Sequence, residues 1–165
     1  MKKIIVSLLL LLPLGLVAQD LKIAYINTQE ALESMPEYSN YLNEMEELSV
    51  EIQTNLKSIS DDYERKYADL MAKGDSLNEN IRQFRVEEIT QIQERYETYS
   101  ASSQQIMAQK QQELFAPIRE KLRKAIDNVG EESGYVYIFD AQVFQYIGSS
   151  AVNVTDKVKA KLTAK

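Results

Sequence analysis

From Pro36 to Val129 the chain has almost nothing that would stop a helix: Gly74 is the only glycine, and Pro117 the only proline beyond the first residue. Within it, Tyr38, Leu42, Met45, Ile52, Leu56, Ile59, Tyr63 and Leu70 recur at alternating steps of three and four. That spacing keeps one helix face apolar and fits the a and d positions of a single heptad frame. Ile89, Ile92, Tyr96, Tyr99 and Ile106 repeat the alternation further on. Between the two runs, Lys73-Gly74-Asp75-Ser76 is the only plausible turn. Gly74 can end one helix in a left-handed conformation, and Asp75 or Ser76 can cap the next. The stretch therefore reads as two antiparallel helices with a tip at 73–76. So long a hairpin cannot enclose a core of its own. It folds as an arm.

The seam of that arm is poor. The same heptad frame admits Ser49, Lys66 and Lys73 on the first helix, and Ser103 and Lys110 on the second. Residues 100–112 turn to Ser and Gln. Each missing aliphatic forfeits roughly 1.5–3 kcal/mol of burial, so a flexible arm is expected. Acid-before-base pairs four apart, Asp61/Arg65, Asp62/Lys66 and Asp69/Lys73, suit exposed helices. Tyr41, Tyr67 and Tyr99 read as core residues, with a binding surface as the other possibility. Pro117 is expected to kink the second helix near 113–117. Ile118, Leu122, Ala125, Ile126 and Val129 then restore a strong apolar stripe that needs a solid partner.

The ends of the chain are β-like. Residues 22–27 (KIAYIN) form a strand candidate. Asn27 and Glu30 have capping-box spacing, and a short helix through Leu32 follows. Ser34, Glu37 and Pro36 mark the start of the long helix. Residues 135–139 (YVYIF) give the strongest strand signal, 140–142 a hairpin turn and 143–147 (VFQYI) a return strand. Gly130 and Gly134 are expected to end the preceding helix. Thr155 is expected to cap a last helix over 156–162, the better reading of a run that also matches a glycosylation sequon.

The fold class is α+β: a small β body, 19–35 with 118–165, carrying a helical hairpin arm over 36–117. The strands are apolar on both faces. One face can take the root of the arm. The other needs a partner, and a small sheet also leaves open edges. Sharing sheets between subunits in a closed ring resolves both problems. The residues expected to build that oligomerisation body are Ile23, Tyr25, Ile26, Val136, Ile138, Phe139, Phe144 and Ile147. Gly74 and Pro117 are the expected tip and hinge of the arm.

The first residues set the compartment. Met1-Lys2-Lys3 precedes an apolar run from Ile4 to Val17, then Ala18 and the polar pair Gln19-Asp20. This is the pattern of a secretory signal peptide cleaved after Ala18, and it suits export to a bacterial periplasm. The run is short of the roughly 20 residues a spanning helix needs. Loss of Lys2 and Lys3 takes the formal net charge from −6 to −8. That balance argues against nucleic acid, which requires a basic surface. With no Cys, there is no disulfide framework, thiolate chemistry or lipid-anchored cysteine; with no His, the commonest general base and metal ligand are missing. Carboxylate pairs such as Asp61/Asp62 and Glu87/Glu88 are adjacent on a helix, point about 100° apart and do not converge on a site. No phosphate-binding glycine loop and no EF-hand spacing is present. These features exclude the common enzyme classes and imply no cofactor or metal.

Two segments carry a family resemblance. KIAYINTQEALESMPEY (22–38) opens the first; PIREKLRKAIDNVGEESGYVYIFD (117–140), followed by NVTDKVKAKL (153–162), makes the second. They resemble the OmpH-like, or Skp, family of periplasmic chaperones in the strand–helix start, the proline at the arm root, the Gly-aromatic strand ending in Asp and the start of the closing helix. The resemblance implies a homotrimer with a small β-barrel body and three helical arms around a central cavity. It further implies an ATP-independent holdase for unfolded outer-membrane proteins. This chain departs from the best-known members, which are strongly basic: it is acidic, and its tip sets Lys73, Arg82 and Arg85 against Asp75 and Glu79. A lipopolysaccharide-binding site is therefore not carried over, whereas apolar capture of clients is. The rival reading is a structural coiled-coil adaptor or spacer of the envelope with a fixed folded partner, but a rigid spacer favours unbroken aliphatic a and d positions.

Overall fold

The computed structural model describes residues 21–73 and 76–163. The proposed signal peptide, and Gly74 and Asp75 of the expected tip, lie outside them. The elements in chain order are β1 (Ile23–Ile26), α1 (Thr28–Glu33), α2 (Pro36–Lys73), α3 (Glu79–Ser133), β2 (Tyr137–Asp140), β3 (Val152–Asn153) and α4 (Thr155–Thr163). The fold is α+β, as expected: two long antiparallel helices rise from a three-stranded sheet.

The helices begin and end for local reasons. α2 opens on Pro36, where a missing N–H costs nothing. α3 is capped by Asn78, whose side chain accepts the Ile81 N–H at 3.0 Å. Asp75 or Ser76 was expected; Asn78 takes the role because α3 begins three residues later, at Glu79, an acid well placed for the helix dipole. α3 also runs past Gly130. It ends in a Schellman motif at Gly134, the only described residue with positive φ (68°). Gly134 donates its N–H to the Glu131 carbonyl and Tyr135 donates to that of Gly130. Pro117 lies within the continuous α3 and does not end it. It can donate no hydrogen bond to the Glu113 carbonyl. At about 1.5 Å per residue, α2 and α3 measure roughly 57 and 83 Å.

The sheet differs from expectation. Residues 143–147 do not return as an antiparallel strand. The order is β2-β1-β3 and both pairings are parallel: Ile23 opposite Tyr137, Tyr25 opposite Phe139, and Ala24 opposite Val152. A tight hairpin over 140–142 would need a residue at positive φ, and none of Asp140, Ala141 and Gln142 adopts it. The Asp140 carboxylate instead accepts the Gln142 N–H at 2.9 Å and opens a 3₁₀ turn, Ala141–Val143. β1 is central, flanked by β2 and β3, and the outer edge of β2, where the expected strand would have paired, stays open among the described residues.

The core lies where the arm root meets the sheet. Ile118, Leu122, Ala125 and Val129 of α3 are buried against Ala24 and Ile26 of β1, Ala31, Leu32 and Met35 around α1, and Val154, Val158 and Leu162 of α4. The expected stripe after Pro117 thus finds its solid partner. A polar knot ties the pieces. The Thr155 hydroxyl accepts the Asn27 N–H at 2.9 Å and donates to the Asn153 side chain at 2.6 Å. That side chain also accepts the Thr155 N–H, so Thr155 is the first residue of α4 and not its cap. Only half of the Asn27–Glu30 capping box forms: Asn27 accepts the Glu30 N–H, while Glu30 turns to Lys159 at 2.9 Å.

Candidate binding and assembly surfaces

Strand alternation divides the residues expected in the oligomerisation body. Ile26 and Ala24 point into the core, and Ile138 packs against its margin. Ile23, Tyr25 and Phe139 share the opposite face, where Ile23 and Phe139 are exposed and Tyr25 is half-buried. Tyr137, absent from the sequence expectation, belongs with them: it stacks on Phe139 at 5.7 Å. Phe144 meets Phe139 edge-on at 5.3 Å, so the irregular segment after β2 supplies an aromatic to that face. Val136 is exposed just before β2, and Ile147 is half-buried in the irregular segment. The result is an apolar sheet face, with Tyr137 52% and Ile23 45% exposed, and free outer edges on β2 and β3 among the described residues. Single exposed apolar residues need no explanation; a contiguous aromatic face does.

The arm seam shifts from the strict heptad frame. Leu42, Tyr96 and Ile106 are 40–49% exposed, while Tyr41 and Met107, one residue away from two of them, are half-buried. An α-helix drifts about 20° per heptad from a 3.5-residue repeat, so a fixed frame does not hold over a helix this long. At the root Tyr41 packs on Phe115 at 5.4 Å and on Tyr38 at 5.9 Å, which makes it a core residue. Tyr67 is 45% exposed and stacks on Tyr63. Tyr99 accepts a hydrogen bond from Asn55 across the hairpin at 2.9 Å. Ser103 is buried in the seam and donates back to the Tyr99 carbonyl.

Ion pairs join the two helices along their length: Glu37–Lys121 at 2.5 Å, Glu44–Lys110 at 3.0 Å, Asp62–Arg95 at 3.7 Å and Lys66–Glu88 at 2.5 Å. Lys66 thus crosses to α3 and does not pair with Asp62. Asp61 pairs with Lys57 and Arg65 with Asp62, while Asp69–Lys73 forms as expected. The hydrogen bond from Lys121 holds the Glu37 carboxyl below its ordinary range, and that from Lys66 does the same for Glu88. The partner carboxylate Glu44 raises Lys110. All of these groups are open to water, so each pair contributes little alone.

The described residues hold no group of acidic side chains arranged to bind a metal ion, and none of their helices is long and apolar enough to cross a membrane. What the geometry offers is surface: an aromatic sheet face at one end and a long, half-open hairpin beyond it. The profile of the family described as outer membrane protein (OmpH-like) matches residues 22–162, nearly all of the described chain. The chain belongs to the OmpH-like family. It is 26% identical over 138 residues to the chaperone protein Skp of Vibrio cholerae, a match covering 83% of this chain and 80% of that protein. Its fold is similar to the crystal structure of an OmpH-like protein from Caulobacter crescentus. The TM-score is 0.73 at 12% identity, covering 85% of this chain and 82% of the other.

Proposed function

We propose that this OmpH-like chain is an ATP-independent periplasmic holdase, exported by a signal peptide cleaved after Ala18. It assembles as a homotrimer through the sheet and holds unfolded outer-membrane proteins in the cavity between its helical arms. The observation that carries the reading is the open sheet: Ile23, Tyr137 and Phe139 stand exposed on one face, with Tyr25 half-buried beside them, between two free parallel edges at the base of a long arm. Pairing edges in a closed ring removes both liabilities at once. The arms are then held apart by the body that joins them. Binding of this kind needs no reaction, so the lack of histidine and cysteine is no handicap. The activity itself is drawn from the family and from the name of the Vibrio relative.

Native mass spectrometry of the mature protein, alone and after dilution of a urea-unfolded outer-membrane β-barrel, tests assembly and holding together. A trimer that binds client and suppresses its light scattering is expected. A monomer, or a trimer without effect on aggregation at any ratio, overturns the reading.

A further inference from the structure

The far end of the arm exposes large apolar side chains that its own packing does not use. On the last turn of α2, Met71 is 63% exposed; at the start of α3, Ile81, Phe84 and Val86 are 44, 65 and 50% exposed. The seam beside them is filled, because Leu70 and Ile89 are buried. The four are therefore additional to the seam and not gaps in it. Met71 and Val86 line a groove between the helices, rimmed by Glu79, Arg82 and Glu87, while Ile81 and Phe84 lie outside that lining. The apolar surface thus wraps the hairpin end and does not form one flat patch. A rigid folded partner covers one face; an unfolded chain can follow both.

Charge decides between a polypeptide and an anionic lipid surface. The described cations here lie beside carboxylates: Lys73 by Asp69 at 2.5 Å, Arg82 by Glu79 at 2.8 Å, and Arg85 by Glu88 at 3.3 Å, a carboxylate it shares with Lys66. Lys66, Lys73, Arg82 and Arg85 are balanced in number by Asp69, Glu79, Glu87 and Glu88, so this end has no excess of cations for headgroup phosphates, and a formal net charge of −6, or −8 without Lys2 and Lys3, opposes approach to an anionic bilayer. Methionine and phenylalanine adapt to many apolar partners without needing a complementary charge.

We propose that the arm tip is an apolar capture site for unfolded polypeptide, in which Met71, Ile81, Phe84 and Val86 take up aromatic and aliphatic client side chains independently of opposite charge. This rests on the holdase reading and gives it a contact surface.

The test is binding of a urea-unfolded outer-membrane β-barrel by the full mature protein at low and high NaCl. Wild type is compared with Met71→Ser/Phe84→Ser and with Leu42→Ser/Val50→Ser, a control whose side chains are 49 and 52% exposed in mid-arm. The tip variant is expected to lose about tenfold or more in affinity, the control less than about threefold, and Phe84→Leu to bind as wild type. Wild-type affinity is expected to change less than about threefold with salt. Undiminished binding by the tip variant, with wild type binding normally, overturns the tip site and leaves the holdase standing. A wild type that binds no client overturns the holdase reading and the tip site with it. The tip site also fails if salt weakens wild-type binding tenfold, or if the tip substitutions change only the oligomer mass. Loss of sedimentation with anionic phospholipid vesicles, with client binding unchanged, likewise overturns it.

Discussion

Replacing Thr155 by valine tests whether the body is held by the polar knot as well as by its apolar core. Thr155 is 2% exposed, and its hydroxyl is the single partner recorded for the Asn27 N–H, at 2.9 Å. Valine keeps the volume and the β-branch, so the buried site stays filled. What is lost can be counted. The Asn27 N–H is orphaned, whereas Asn153 keeps the Thr155 N–H as a donor. One orphaned donor costs about 1–3 kcal/mol; since Asn27 is only half-buried, about 2 kcal/mol is expected. That is roughly a thirtyfold change in the folded-to-unfolded ratio. Thr155→Ser restores the hydroxyl and gives up one methyl, about 0.8 kcal/mol. Urea denaturation followed by near-ultraviolet circular dichroism, with hydrogen exchange of the Asn27 amide, separates the cases at fixed protein concentration. The order wild type, serine, valine is expected, with Asn27 exchanging fastest in valine. A valine variant as stable as wild type, with the Asn27 amide still protected, refutes the reasoning.

Three further outcomes follow from named contacts. Gly134→Ala places a Cβ at φ 68° and should cost about 1 kcal/mol, whereas Gly130→Ala, within α3 with Ile138 Cδ1 an ordinary 3.6 Å away, should gain about 0.5–1 kcal/mol; thermal melts should move in opposite directions. Glu37 and Glu88 have carboxyl pKa values below the usual 4.5, so their contribution is complete above that pH and is lost as pH falls through the lowered values. Spin-label distances across the hairpin should therefore broaden below about pH 4.5, and Glu37→Gln/Glu88→Gln should already be broadened at neutral pH and respond less to acid. Ser103→Ala removes a hydroxyl that bonds only within its own helix and should stabilise the arm by about 0.5 kcal/mol, seen as slower amide exchange over residues 100–112.

The hairpin, its boundaries near Pro36 and Ser133, and the buried stripe after Pro117 were legible because helix periodicity is local and repeats over many turns. The β body was legible only as apolar segments. Its parallel order depends on which segment reaches the edges of β1, a fact of tertiary geometry with no local signal. The turn at Asp140 did carry one: a tight hairpin favours glycine or asparagine, and 140–142 holds neither. Alternation likewise places Tyr137 on the face of Phe139. The fixed heptad frame misplaced Leu42 and Ile106 because its error accumulates along the helix. Met71, Ile81, Phe84 and Val86 passed unremarked because an apolar residue outside the seam looks, in sequence alone, like an ordinary imperfection.

Those imperfections and the polar seam belong to one distribution. The seam buries Ser103 and carries ion pairs at several levels, while Leu42, Val50, Tyr67 and Met71 of α2 stand in water. Had the same apolar side chains been placed inward, the hairpin would be a tighter coiled coil with a uniformly charged exterior. Surface ion pairs hold two helices weakly and are screened by salt. The strong burial is kept at the root, where Ile118, Leu122 and Val129 fix the arm to the sheet. A tight root, a polar, ion-paired middle and an apolar end suit the proposed holdase arm. A spacer with one folded partner needs the opposite arrangement, with burial concentrated along the seam and apolar contact confined to a single face.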